Sequence, residues 1–169
     1  MYKQSFDPII SPEPRVLILG SLPGDQSLEM NQYYGHPRNR FWQILFKIFN
    51  VELSDDYETR KQIILQNHLA LWDVANSAVR KGSMDVNIKN EIPNNIEGLL
   101  MKYPTIERII FNGKKSEKLF WEYFDKKSSI GYISMPSTSP ANAQYSLQKL
   151  VDYWKNAIIL NESANSKSN

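Results

Sequence analysis

Residues 32–42 read QYYGHPRNRFW, which sets two tyrosines, a histidine, an asparagine and two arginines just ahead of an apolar run. Aromatic rings beside cations suit a nucleobase and its phosphate. Asn39 is also placed to cap the helix that follows, which is the more ordinary use of asparagine. His36 taken alone is more often a packed or surface side chain than a catalyst. A second segment, Gly20-Ser21-Leu22-Pro23-Gly24, puts two glycines around a proline in a tight turn that exposes backbone N–H groups. No Gly-Lys-Ser/Thr follows, so it is not a Walker loop, and it lacks the dinucleotide fingerprint. Without a ligand it is a plain strand-to-helix turn. A third segment, MPSTSPANA from Met135 to Ala143, is stiffened by Pro136 and Pro140. The hydroxyls of Ser137, Thr138 and Ser139 suit phosphate oxygens; the plain reading is a Ser/Pro turn leading into a helix. Asp73 and Asp85 are single carboxylates, each by type more an anchor or cap than a general base. Lys114, Lys115 and Lys118 form either a solvated helix face or a track for a phosphate backbone.

Composition removes several chemistries. The 169 residues include no cysteine, which excludes disulfides, thiolate metal sites and cysteine nucleophiles. Two histidines leave little scope for a histidine-rich metal site. No Ser-His-Asp order is present, which discounts a serine hydrolase. A formal charge of +2 neither argues for nucleic acid nor opposes it. The first residues lack the apolar core of a signal peptide, and no stretch approaches the roughly 18–20 apolar residues that span a bilayer. The expectation is a soluble intracellular protein, cytoplasmic and free of membranes.

The elements that must position these residues follow from hydrophobic patterning. Val16 to Leu19 is a buried strand ending at Gly20, after a proline-rich extended lead-in. A loop runs to about Arg38. Phe41 to Phe49 is an apolar helix, and a polar helix spans about Asp56 to Asn67. Leu69 to Val74 is a second strand, followed by a long loop to about Asn94 and a short helix to Lys102. Ile106 to Phe111 is a third strand, Lys115 to Phe124 a helix, and Ile130 to Met135 a fourth strand. The last helix starts near Ala143, with Leu147, Leu150, Val151, Trp154 and Ile158 on one face. Residues 1–160 read as one domain and 161–169 as a polar, frayed tail. Alternating strands and helices imply an α/β parallel sheet covered on both faces, with ligands at the carboxyl ends of the strands.

In their order along the chain, GSLPG, YYGHPRNRFW, LWDV, GSMD, FNG and MPSTSPANA resemble the uracil-DNA glycosylase superfamily. Within it they most resemble the hypoxanthine-DNA (deoxyinosine) glycosylase branch, and HPxNRFW is shared with the mismatch-specific branch. The likeness covers residues 15–158. It implies a three-layer α/β/α fold with a short, mainly four-stranded parallel sheet. The implied activity is hydrolysis of the N-glycosidic bond of a flipped deaminated base, foremost hypoxanthine, with uracil in mismatches as a lesser substrate. No metal or organic cofactor is implied. The implied partner is damaged DNA, double- or single-stranded, met by a monomer.

The resemblance also assigns residues. Gly20, Ser21, Leu22, Pro23 and Gly24, together with Ser137, Thr138, Ser139, Pro140 and Ala141, would hold phosphates on either side of the lesion. Residues near Ala141 to Gln144 would fill the vacated stack. Tyr34 matches the stacking aromatic, with His36 beside it. Asp73 stands where several relatives place a base-reading asparagine, and Asn112 is a further contact. Many relatives carry Asp or Asn where this chain has Ser21, and other branches a histidine where it has Met135. The deoxyinosine branch is understood to use the asparagine of HPxNRFW, here Asn39. Its amide oxygen would accept from water and aim it at C1′, or the amide would bond the departing base or a phosphate. No lysine sits in the matched motifs as a Schiff-base nucleophile, so strand cleavage is not expected. Two other readings remain: a binding module that has lost its chemistry, and a hydrolase of free nucleosides or nucleotides.

Overall fold

Val16–Gly20 is buried along its whole length, so both of its faces must be covered. In the computed structural model, which describes residues 1–159, they are. The elements run β1 (Tyr2–Gln4), β2 (Ile9–Ile10), β3 (Val16–Gly20), α1 (Asp25–Met30), α2 (Phe41–Ile48), α3 (Tyr57–Gln66), β4 (Leu69–Asp73) and β5 (Ala75–Val79). They continue with β6 (Lys89–Pro93), α4 (Ile96–Lys102), β7 (Arg108–Asn112), α5 (Lys114–Tyr123), β8 (Gly131–Met135) and α6 (Leu147–Ile159). The frayed tail expected at 161–169 lies outside the described residues.

The central sheet has the order β2-β4-β3-β7-β8. Its four long strands are parallel, and two-residue β2 adds an antiparallel edge. Alternate side chains of β3 enter different cores. Val16 and Ile18 pack with Phe41, Trp42, Ile64, Leu150 and Trp154, from α2, α3 and α6. Leu17 and Leu19 pack with Ile96, Leu99, Leu119 and Phe120, from α4 and α5. The result is the expected three-layer sandwich. Ligand sites in such sheets lie beyond the carboxyl ends of the strands, here Gly20, Asp73, Asn112 and Met135.

Three local readings need correction. The loop expected before Arg38 holds the short α1, which stops at Asn31 in the left-handed region (φ 55°). The last helix starts at Leu147 rather than Ala143, because Ser146 caps it: its hydroxyl accepts from Lys149 N at 3.2 Å. The segment expected to be a loop up to Asn94 contributes two strands to a small antiparallel sheet, ordered β1-β5-β6, which also recruits the extended lead-in. The sequences ANSAV and KNEIP carry no clean alternation, and their pairing shifts register twice. Partners rather than pattern make them strands. Among the described residues, no helix is long and apolar enough to cross a membrane.

Candidate active site

Asn39, Gly20 to Gly24, Tyr34, His36, Asp73, Asp85, Asn112 and Ser137 to Ala141 all line one cleft of about 1050 Å³ at the strand ends, whereas of the three lysines singled out only Lys114 does, and Lys115 and Lys118 stay outside it. Four loops build it, and each is tied down differently.

The loop after β3 is held from inside. Its Leu22 and Pro23 are buried, and Leu22 packs on Ala75, Ala78 and Ile88. These two side chains anchor the loop. Arg80, 1% exposed, donates to the carbonyls of Leu22 and Pro23 and, at 3.0 Å, to that of Gly82. Lys3 reaches Asp25 and the Gly82 carbonyl, and Asp25 N donates to Ser83 Oγ at 2.8 Å. GSLPG and GSMD are thereby joined into one wall. The Ser21 hydroxyl donates to Asp85 Oδ1 at 2.8 Å across it.

The segment before α2 is held by its aromatics. Tyr33 OH donates to Asp7 O at 2.8 Å, Trp42 Nε1 donates to Tyr33 O at 2.8 Å, and Gly35 N donates to Ser27 Oγ at 2.9 Å. These ties force Tyr34 into the left-handed region (φ 52°), a conformation that costs energy in a bulky residue and recurs at functional sites. Its ring lies 4.1 Å from that of Phe41, and its hydroxyl is sealed at the cleft floor. His36 Nδ1 accepts from Arg38 N at 3.0 Å, so Nε2 carries the proton of the neutral ring.

Gly20, Asp73 and Tyr34 meet at that floor. A Cβ on Gly20 would stand 2.4 Å from Asp73 Oδ1 and 2.8 Å from the Tyr34 hydroxyl, so only glycine fits. Asp73 Oδ2 and the Tyr34 hydroxyl are both buried without a hydrogen bond. Asn112 is near enough to the hydroxyl to act on its ionisation, yet outside bonding geometry. Burial pushes the Asp73 carboxyl up to about 7; the charge of Asp85 adds to this and Arg80 opposes it. Burial, then Asp73, raises the Tyr34 hydroxyl far above the usual phenol range. Tyr34 is therefore uncharged through the neutral range, and Asp73 holds its proton below about pH 7.

Asn39 has a definite orientation. Its Oδ1 accepts from Phe41 N at 3.0 Å and from Thr138 Oγ1 at 2.9 Å. A backbone N–H only donates, which fixes the oxygen end of the amide. Both lone pairs are occupied, so the amide oxygen does not hold a water, contrary to the expectation from sequence. The helix-start role and the site role are divided between the two ends of one side chain. The oxygen serves the start of α2, and the NH₂ has no bonding partner among the described residues in a side chain that lines the cleft.

The loop after β8 also departs from expectation. Thr138 is fully buried, and its hydroxyl accepts from Asn112 Nδ2 at 3.0 Å while donating to Asn39. Thr138 N donates back to Asn112 Oδ1 at 3.0 Å. Thr138 is thus internal to an Asn112–Thr138–Asn39 chain and does not present its hydroxyl to a phosphate. Ser137 Oγ and Ser139 Oγ accept from Ser139 N (3.1 Å) and Ala141 N (3.2 Å), which leaves their own protons to donate outward. Arg40 braces this loop through the carbonyls of Asn142, at 2.9 Å, and Tyr145. Met135, Pro140 and Ala141 complete this side, and Met84 and Val86 stand exposed at the other rim.

Sequence reasoning missed Arg80, Lys3 and the Ser21–Asp85 pair. An arginine or lysine in a polar stretch carries no mark of burial. Only the charge balance of the GSMD region offered a signal.

Comparison with known proteins agrees with this architecture. The profile described as "Uracil DNA glycosylase superfamily" matches residues 8–158. A Methanosarcina barkeri protein named hypoxanthine DNA glycosylase is 39% identical over 160 residues, covering 93% of this chain and 98% of that protein. A Methanosarcina acetivorans protein of the same name is 36% identical over 149 residues, covering 86% and 92%. A solution NMR structure from Methanosarcina acetivorans, described as a candidate uracil DNA glycosylase, superimposes with a TM-score of 0.79 at 32% identity, over 96% of this chain and 99% of that one. With its fold, strand-end cleft and nearly full-length matches in agreement, the chain belongs to the uracil DNA glycosylase superfamily.

Proposed function

We propose that this protein is a monofunctional DNA glycosylase that hydrolyses the N-glycosidic bond of an everted deaminated base. Hypoxanthine is its main substrate and mismatched uracil a lesser one. It works as a monomer inside the cell. The observation that carries this reading is the cleft floor, where a stacking ring and two unsatisfied buried polar atoms lie in the same cleft as a free carboxamide NH₂.

A base within a duplex is out of reach and must be flipped, at a cost of a few kcal/mol that backbone and pocket contacts offset. The N–H groups near Gly24 and the outward hydroxyls of Ser137 and Ser139 suit the flanking phosphates. Tyr34 supplies the stacking face. Protonated Asp73 both donates and accepts. It therefore complements the N1–H and O6 of hypoxanthine, whereas the ionised form would accept from N1–H and repel O6.

Asn39 then acts as a donor. As the C1′–N9 bond breaks, charge collects on the departing purine, and the fixed NH₂ bonds it. Such preorganised donors contribute about 10²–10³ in rate. Phe41 and Thr138 hold the amide in place, so little reorganisation is needed.

The test is base release from a deoxyinosine duplex by wild type, Asn39→Ala and Asn39→Asp, scored as alkali-labile abasic sites. Asn39→Asp keeps an oxygen for Phe41 and loses the NH₂. Both variants should fold, bind DNA and lose about 100-fold or more in rate. Near-wild-type release would move the chemistry elsewhere. Uracil and xanthine duplexes and free inosine monophosphate complete the panel. Equal turnover of the free nucleotide would favour a nucleotide hydrolase, and binding without release a module without chemistry.

A further inference from the structure

With the Asn39 oxygen committed to Phe41 and Thr138, nothing yet described meets the attacking water or the cation that forms at the sugar. Asp85 lines the cleft in which both would lie. It opens the 3-10 turn Asp85–Asn87 and lines the same cleft as Asn39 and Asp73. Its Oδ1 is held by the Ser21 hydroxyl at 2.8 Å, and Ser21 directly follows the last residue of the central strand β3. Arg80 Nη1 lies 3.8 Å from the same oxygen. The arginine is buried and already committed to loop carbonyls, so it steadies the carboxylate from behind. The Asp85 side chain keeps 43% of its surface, and its Oδ2 has no bonding partner among the described residues. Its charge acts on both groups of the cleft floor, raising Asp73 and Tyr34. A fixed negative charge therefore sits beside the place where the base would lie.

We propose that Asp85 is a second catalytic residue of this site, whose carboxylate stabilises the positive charge at C1′ and takes the proton of the attacking water, with Ser21 as its positioning residue. The proposal rests on the glycosylase reading above. In the step, the C1′–N9 bond breaks and its electron pair leaves on the purine, so the sugar becomes an oxocarbenium ion. Water oxygen bonds C1′ and its proton passes to Asp85, then to solvent. The purine anion takes a proton from solvent. Carboxylates serve oxocarbenium-like transition states in this way in other glycoside hydrolyses.

Two measurements on the full chain test it. The first is single-turnover hypoxanthine release by wild type, Asp85→Asn and Ser21→Ala. The second is the affinity of each for two duplexes, one with a cationic pyrrolidine abasic analogue and one with its neutral tetrahydrofuran counterpart. Asp85→Asn keeps an oxygen for Ser21 and removes only the charge. It should lose about 100-fold in rate, and its preference for the cation over the neutral analogue should fall about tenfold. Ser21→Ala, which keeps the charge but frees it, should lose about tenfold in rate while retaining part of the preference. A slower Asp85→Asn with an unchanged preference would make Asp85 a loop anchor and overturn the proposal, as would wild-type release by that variant. If the wild-type chain releases no base at all, the glycosylase reading fails and this proposal with it. Release by wild type with an unaltered preference in Asp85→Asn overturns this proposal alone.

Discussion

Asp73 binds its proton up to about pH 7 in the folded chain, against 3.8 as its ordinary value. Between those values the folded state holds a proton that the unfolded state has lost. Stability therefore falls as pH rises through that window and levels off above it. The span corresponds to roughly 4 kcal/mol. Asp73→Asn removes the ionisation and should melt at a higher temperature than wild type at pH 8, with the advantage gone by pH 4. Thermal melts across that range check it; a constant difference would show that charge is not the cause. On the proposed function, the contact between Asp73 and the base follows the same titration. Hypoxanthine release by wild type should decline as pH rises above 7, because the ionised carboxyl repels O6, and a rate profile in deoxyinosine duplex shows whether it does.

At the scale of elements, the end of β3 and the β5–β6 connection behave as one wall. Gly20→Ala places a Cβ against Asp73 Oδ1 and the Tyr34 hydroxyl, both confined. Overpacking of this kind costs about 1–3 kcal/mol, and base release should fall further than stability because the floor itself is displaced. Chemical denaturation and turnover measured together separate the two effects. Arg80→Met would leave the Leu22 and Pro23 carbonyls without their side-chain donor, the Gly82 carbonyl with Lys3 alone and Asp85 without its cationic neighbour. A loss of about 2–4 kcal/mol is expected, together with weaker binding of an abasic duplex. On the opposite side, Trp154 is fully buried between α6 and α2, and its Nε1 donates to Pro136 O at 3.2 Å. That contact fixes the loop after β8, and so Thr138 and Asn39, to the helical layer.

Across the whole molecule, the formal charge of +2 is spread thinly, and Lys114 is the lysine that lines the cleft. Arg40 and Arg80 are spent on loop carbonyls. On the proposed function, backbone N–H groups and hydroxyls do most of the phosphate binding, and they release few counterions. The logarithm of affinity should therefore fall with the logarithm of salt with a slope of about −2 to −3. Fluorescence anisotropy on an abasic duplex between low and physiological salt measures it. A slope near −6 or steeper would place a cationic track on the surface that the cleft does not contain.

The inner parallel strands were legible because a strand buried on both faces needs an unbroken apolar run, and Val16 to Leu19 and Ile109 to Phe111 are such runs; edge strand β8 is only partly buried and shows a weaker pattern. Two loops of the cleft were legible too, since glycine, proline and hydroxyl residues cluster directly after Leu19 and after Met135. The small sheet was not: Tyr2 pairs with Val79, and neither ANSAV nor KNEIP has a periodicity of its own. Nor could the chain alone say which end of Asn39 is free, that Thr138 turns inward, or that Ser21 meets Asp85 across 64 residues. Residue type determines what a side chain can donate or accept. Whether that capacity is still available at the site depends on which distant segment has already consumed it, and only folding brings those segments together.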